Sequence, residues 1–244
     1  MRALRILLVV VLVLGGLFVA ADRIAVHYAQ NRAADELRSR EGLSDTPEVD
    51  IHGFPFLTQL AGGTLDEVGV RIKDYEADTG EGGGHLRVGS VDAELREVDF
   101  GGDWSSATAR RATGTAVVGY PELLKAARAE PIELAPGIEA EVTALSDGGK
   151  GRVNLSVKAK ILGHTLPKAL VVPCSLGADG DRITVRAASL PDLGVPLAER
   201  EVRGVTDFAQ TVKNLPAGIG LDSVRATPDG VRITLKGSNL RLDG

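Results

Sequence analysis

Arg152-Val153-Asn154-Leu155-Ser156-Val157-Lys158-Ala159-Lys160-Ile161 alternates polar and apolar residues along its whole length. A strand sends successive side chains to opposite faces, so Val153, Leu155, Val157, Ala159 and Ile161 share one side while Arg152, Asn154, Ser156, Lys158 and Lys160 share the other. One buried face and one wet face are expected. The same period of two runs through Val68, Val70 and Ile72, set against Gly69, Arg71 and Lys73, and through Leu86, Val88 and Ser90, set against Arg87 and Gly89. Residues 48–51, 91–100, 221–226 and 231–235 read as further strands. Asp147-Gly148, Asp179-Gly180 and Asp229-Gly230 each lie between alternating runs, where tight hairpin turns favour that pair. Gly80 to Gly84 and Gly101-Gly102 read as turns.

Helical signals are fewer. Residues 22–40 hold strong helix formers, with an apolar stripe at Ile24, Tyr28, Ala29, Ala33 and Leu37, and Gly42 stops them. Pro55 suits the first turn of a brief helix that ends at Gly62-Gly63, and Tyr120-Pro121-Glu122 opens another. A third helix is expected at residues 206–215, capped by Thr206 and ended by Pro216. Most connections are too short for the crossovers a parallel sheet needs, so the fold class is α+β, dominated by long antiparallel strands.

The N-terminus explains where such a domain works. Arg2 and Arg5 precede an unbroken apolar run over residues 6–21, which Asp22 and Arg23 end. Positive head, apolar middle and small-residue exit make a secretion signal, with the chain after it exported. The run is short of the ~20 residues a bilayer span needs, but Ala3, Leu4, Ile24, Ala25 and Val26 could lengthen it. Residues 1–21 therefore fit either a cleaved signal or a retained anchor, and residues 22–244 form the exported domain. That domain is expected at the outer face of the plasma membrane or in a periplasm-like space, anchored or secreted.

Composition narrows the function. The formal net charge of −5 gives no basic face for nucleic acid. Cys174 is the sole cysteine, which rules out an intrachain disulfide and reads as a small buried apolar residue. His27, His52, His85 and His164 lack metal-ligand spacing. Nucleophile elbow, zinc-protease helix and phosphate loop are all missing from the sequence. Asp92, Glu94, Glu97 and Asp99 fall on solvated strand faces and read as solubilising charge. Aromatic residues are scarce, with one tryptophan, three tyrosines and five phenylalanines, so aliphatic side chains must line the interior. A sheet faced with Val, Leu and Ile makes either a plain core or a channel for acyl chains.

The stretch Val49-Asp50-Ile51-His52-Gly53-Phe54-Pro55-Phe56-Leu57-Thr58-Gln59-Leu60-Ala61-Gly62-Gly63, followed by Val68-Gly69-Val70-Arg71-Ile72, resembles the opening of the actinobacterial LmeA-type phospholipid-binding family. Leu215-Pro216-Ala217-Gly218-Ile219-Gly220-Leu221-Asp222-Ser223-Val224, then Asp229-Gly230-Val231-Arg232-Ile233, Gly237 and Leu240-Arg241-Leu242, resembles its ending. The resemblance implies a cell-envelope protein that binds phospholipid, supports lipoglycan mannan elongation in some members, and folds as a strongly curved antiparallel sheet wrapped around a long helix, tubular in form. It implies no catalytic residue, cofactor or metal.

The strand pattern and the Phe-Pro-Phe cluster supply the candidate lipid contacts. Phe54, Phe56, Leu57 and Leu60 are expected as entrance or lining. Val68, Val70, Ile72, Val153, Leu155, Val157 and Ile161 are expected as wall or as sealed core. The function expected is non-enzymatic binding, with shuttling, of phospholipid or glycolipid beside the plasma membrane. The alternative is an adaptor that docks envelope enzymes, glycosyltransferases among them, through an exposed apolar surface.

Overall fold

A computed structural model describes residues 2–78, 85–101, 106–126, 132–188, 208–212, 215 and 217–243. The expected turn at Gly80 to Gly84, the second half of the Gly101-Gly102 turn and residues 206–207 and 213–214 of the expected third helix lie outside the described residues. The fold is α+β, with mostly antiparallel sheets, one of them strongly curled into a half-barrel. Contacts divide the chain into two compact units. The first holds Met1–Ile72, Asp92–Thr113 and Gly237–Gly244, and the second Lys73–Val91 and Gly114–Lys236.

In the first unit, α1 runs unbroken over Arg2–Glu41, carrying the apolar run and the following segment in one helix. Gly42 ends it at φ +62°, and the Leu43 amide turns back to the Arg38 carbonyl at 3.0 Å. That closure satisfies the last carbonyls where an L side chain would be strained. The packed face of α1 is Asp22, Val26 and Ala34, with Ala25, Ala29, Gln30 and Leu37 half-buried. Ile24 and Tyr28, expected in the stripe, are instead 72% and 71% exposed. Alanines admit neighbours to close range, and α1 packs against β1 (Glu48–His52) and α2 (Phe56–Ala61). Strand β1 pairs antiparallel with β2 (Thr64–Asp78), which sets Val49 opposite Val70 and Ile51 opposite Val68. Residues 85–100, read from sequence as two pieces, form one strand, β3 (His85–Phe100). Strand β4 (Ser106–Val118) follows, and the sheet ends with β13 (Gly230–Asp243) and β12 (Ile219–Thr227) in the order β1-β2-β3-β4-β13-β12; β12 and the part of β13 up to Lys236 belong to the second unit.

The second unit contains α3 (Tyr120–Ala126) and the strands β5 (Ile132–Ala135), β6 (Ile138–Asp147), β7 (Arg152–Ile161), β8 (His164–Thr165), β9 (Leu170–Asp179), β10 (Arg182–Ala187) and β11 (Phe208–Thr211). They make an antiparallel sheet ordered β11-β10-β9-β7-β6-β5, with β8 beside β7. The alternation of β7 holds: Val153, Leu155 and Ala159 are buried while Lys158 and Lys160 are exposed. Val153 and Leu155 join Val172, Cys174, Val185 and Val224 in a buried cluster, where each large aliphatic side chain contributes roughly 1.5–3 kcal/mol. Tyr120 belongs to the same cluster, and its hydroxyl donates to the Thr227 carbonyl at 2.7 Å. Burial raises the pKa of this phenol, and the charge of Asp147 pushes it the same way.

Two expectations change. Phe208–Thr211 is not helix but the edge strand β11, with Phe208 opposite Val185 and Ala209 opposite Thr184. The open edge of β10 supplies backbone partners, and helix propensity is too weak to compete with them. The Asp-Gly pairs mark hairpins as expected, yet the turns are displaced by one or more residues. Between β9 and β10 the turn residues are Gly180 and Asp181, with Gly180 at φ +59°. Between β12 and β13 they are Pro228 and Asp229. Between β6 and β7, Gly149, Lys150 and Gly151 take positive φ, and Asp147 Oδ1 accepts the Gly149 amide at 2.9 Å.

Candidate functional site

The point where α1 leaves its apolar run carries an unusual buried charge. Residues 6–21 are all exposed, and the next residue, Asp22, has 0% exposure. Its Oδ1 accepts the Leu57 amide at 2.8 Å, and its Oδ2 meets Arg23 Nη2 at 2.7 Å. The first turn of any helix leaves amides without partners. Pro55 stands at the N-cap of α2 and has no side-chain acceptor to offer. Asp22 supplies one from α1, and its negative charge also suits the positive end of the α2 dipole. Arg23 then lies between that carboxylate and an aromatic face, its guanidinium carbon 5.1 Å from the Phe54 ring centroid.

Local sequence explains the shape of the Phe-Pro-Phe element. Gly53 has φ +102°, and a Cβ there would overlap the Gln59 amide and the Asp66 carboxylate. Gln59 Oε1 in turn accepts the Asp66 amide at 2.8 Å, tying the end of α2 to the start of β2. The result separates the two phenylalanines. Phe56 is 3% exposed and anchors α2, whereas Phe54 is 59% exposed. Leu57 and Leu60 are half-buried on the same short helix.

The remaining candidate residues divide between the two units. Val68, Val70 and Ile72 are half-buried in β2. Val153 and Leu155 lie inside the buried cluster of the second unit, and Val157 packs against it. Ile161 stands opposite Ile138 at the end of β7. Asp22 and Arg23, which the structure brings to Phe54 and Leu57, were read from sequence only as the end of the apolar run. The available signal was an acid placed directly after sixteen apolar residues inside a continuous helical pattern, a position that demands a partner.

The carboxylates of β3 are matched one by one to arginines. Arg71 bridges Asp92 at 2.6 Å and Glu48 at 3.2 Å, Arg96 binds Glu94 and Glu67, and Arg110 and Arg111 bind Glu97, with Asp99 3.1 Å from Arg110. The hydrogen bonds that Arg71 donates to Asp92 and Arg96 donates to Glu94 raise the pKa of the two guanidinium groups. Glu67 is partly covered and the other groups are exposed, so each pair contributes about 0–1 kcal/mol. Their chemistry is that of a solvated charged face. His52 Nε2 is 3.9 Å from Glu67 Oε1, and among the described residues no three His, Cys, Asp or Glu side chains gather to hold a metal ion.

A long apolar N-terminal helix running into an α+β fold of antiparallel sheets with an aliphatic interior defines the class of protein. A family model described as LmeA-like phospholipid-binding matches residues 20–236, and the chain belongs to that family. The match begins two residues before Asp22, where the helix passes from its apolar run to its packed face. Neither a curated protein nor a solved structure matches the chain.

Proposed function

We propose that the chain binds phospholipid at the outer face of the plasma membrane, held there by α1, and shuttles it without catalysing a reaction on it. Residues 1–21 act as anchor and residues 22–244 as the lipid-binding domain. The observation that carries this reading is membership of a phospholipid-binding family, on a chain whose apolar helix runs without a break into the matched region. Helix α1 is long and apolar enough to cross a membrane. Phe54, Leu57 and Leu60 form the entrance, with Phe56 fixing α2 beneath them. In the first unit half-buried Val68, Val70 and Ile72 are the wall that acyl chains reach; in the second, half-buried Val157 lies over the core that holds Val153 and Leu155. The lipid serves envelope biogenesis, including supply to lipoglycan glycosyltransferases.

Transfer of a fluorescent phospholipid between donor and acceptor vesicles tests the proposal. The chain should accelerate transfer, and a Leu57→Ser, Leu60→Ser double variant should lose most of that acceleration while keeping its fold. A chain that neither retains nor transfers lipid contradicts it. The exposure of Phe54 also fits an adaptor that captures envelope enzymes. In that case Phe54→Asp abolishes capture of a glycosyltransferase and leaves lipid content unchanged.

A further inference from the structure

The apolar run of α1 is too short for its task taken alone. Sixteen helical residues rise about 24 Å, against a hydrocarbon layer of about 30 Å. One more helical turn would close the difference, and on the exit side that turn is Asp22 to Ala25. An exposed aspartate there would oppose it, since a carboxylate costs ~2.5–3.5 kcal/mol at the centre of a span, though less near its edge. Asp22 is not exposed: α2 covers it, with the Leu57 amide on one oxygen and Arg23 on the other. On the open side of the same turn stands Ile24, 72% exposed, and beside Arg23 lies the ring of Phe54.

We infer that α2 and the Phe54-Pro55 turn dock into the outer bilayer interface, using Asp22 as the buried peg that fixes them at the point where α1 emerges. The inference rests on the reading of α1 as a retained anchor. Phe54 then lies at the boundary of headgroups and acyl chains, where aromatic rings are favoured. Arg23 reaches out along its stem to the phosphate level while its guanidinium keeps the Phe54 ring beneath it. The occupant of this surface is the bilayer, because the exposed apolar side chains of α1 resume past Arg23 at Ile24, and the exposed ring of Phe54 lies against Arg23 itself. The fixed position also gives the proposed entrance a constant height above its source of lipid.

The test uses the full chain in vesicles whose brominated phospholipids are cross-linked within the bilayer, so that none can be withdrawn as cargo. Trp104, the one native tryptophan, is replaced by Phe. A reporter is then introduced as Phe54→Trp, with Asp45→Trp, beyond the end of α1, as the aqueous reference. Emission from position 54 should shift to shorter wavelength, lose intensity to bromine and resist iodide, while position 45 responds only to iodide. Position 54 behaving like position 45 overturns the inference. So does a mature chain, sequenced from membranes, that begins at Asp22. If the tryptophan variants do not fold, iodination of the unaltered chain supplies the readout: Tyr28, one turn beyond Ile24, should be less reactive in vesicles than in detergent-free denaturant by a larger factor than Tyr75, and equal factors overturn the inference. Lipid transfer, measured separately in ordinary vesicles, distinguishes the outcomes: transfer with a water-exposed position 54 sinks only the docking, and a docked position 54 without transfer sinks only the shuttling.

Discussion

The Asp22 carboxylate caps the first turn of α2 from 35 residues away, through the Leu57 amide at 2.8 Å. A residue that on sequence grounds ends the apolar run is, in the fold, part of the packing of the first unit. The bond joins α1 to the element that presents Phe54, so loss of either partner should loosen both.

Asp22→Ala removes the acceptor and the partner of Arg23 together, and should lower the melting temperature by several degrees. Asp22→Asn keeps an oxygen for the Leu57 amide and should fall between the two. Thermal unfolding of the three chains checks the order, and an Asp22→Ala chain as stable as the parent contradicts the capping role.

Gly230 begins β13 at φ +148°, and a Cβ at that position would overlap the Val118 carbonyl. Backbone strain of this kind costs about 1–3 kcal/mol, so Gly230→Ala should be destabilised by at least that much. Gly220, with open space where its Cβ would stand, serves as the comparison. Gly220→Ala should stay within about 0.5 kcal/mol of the parent in urea unfolding.

Leu155 is buried among Val172, Cys174 and Val224, so Leu155→Ala should lose about 2–5 kcal/mol. Its lipid transfer, measured where the variant remains folded, should stay near the parent's. Leu60→Ser on half-buried α2 should do the reverse, costing little stability and most of the transfer. A Leu155 variant of normal stability that binds no lipid would move that side chain from support to wall.

Tyr120 gives a pH dependence of known sign. Its folded pKa is raised, chiefly by burial, so the unfolded chain gives up the phenolic proton first. The contribution of the hydroxyl is complete below the ordinary phenol pKa of about 10 and is lost as pH rises through the folded value. The stability difference between the parent and Tyr120→Phe, about 1 kcal/mol at neutral pH, should therefore shrink above pH ~10. A difference that holds constant to higher pH removes the assignment.

How far the sequence carried the fold depended on the range of the interactions. The two-residue period of β7 and the Pro55 to Gly62 bounds of α2 are local and were legible. The packed face of α1 was not, because Ile24 and Tyr28 are as apolar as a core stripe, and only the partners of a helix decide which side is covered. The residues of β11 look helical until β10 offers an open edge. In the candidate site, Phe54 and Leu57 were legible as an apolar cluster. Asp22 and Arg23 were not, since their role comes from a contact 35 residues distant. Val153 and Leu155 show the converse: alternation identified a buried face without saying whether lipid or protein fills the space before it.

Native mass spectrometry of the full chain, released from vesicles of defined phospholipid, tests the central claim most directly. Phospholipid binding predicts a mass increment equal to a whole number of the supplied phospholipid molecules, persisting at collision energies that strip the surrounding detergent. A chain that emerges at its bare polypeptide mass under every gentle condition, from vesicles of each headgroup class, would contradict it.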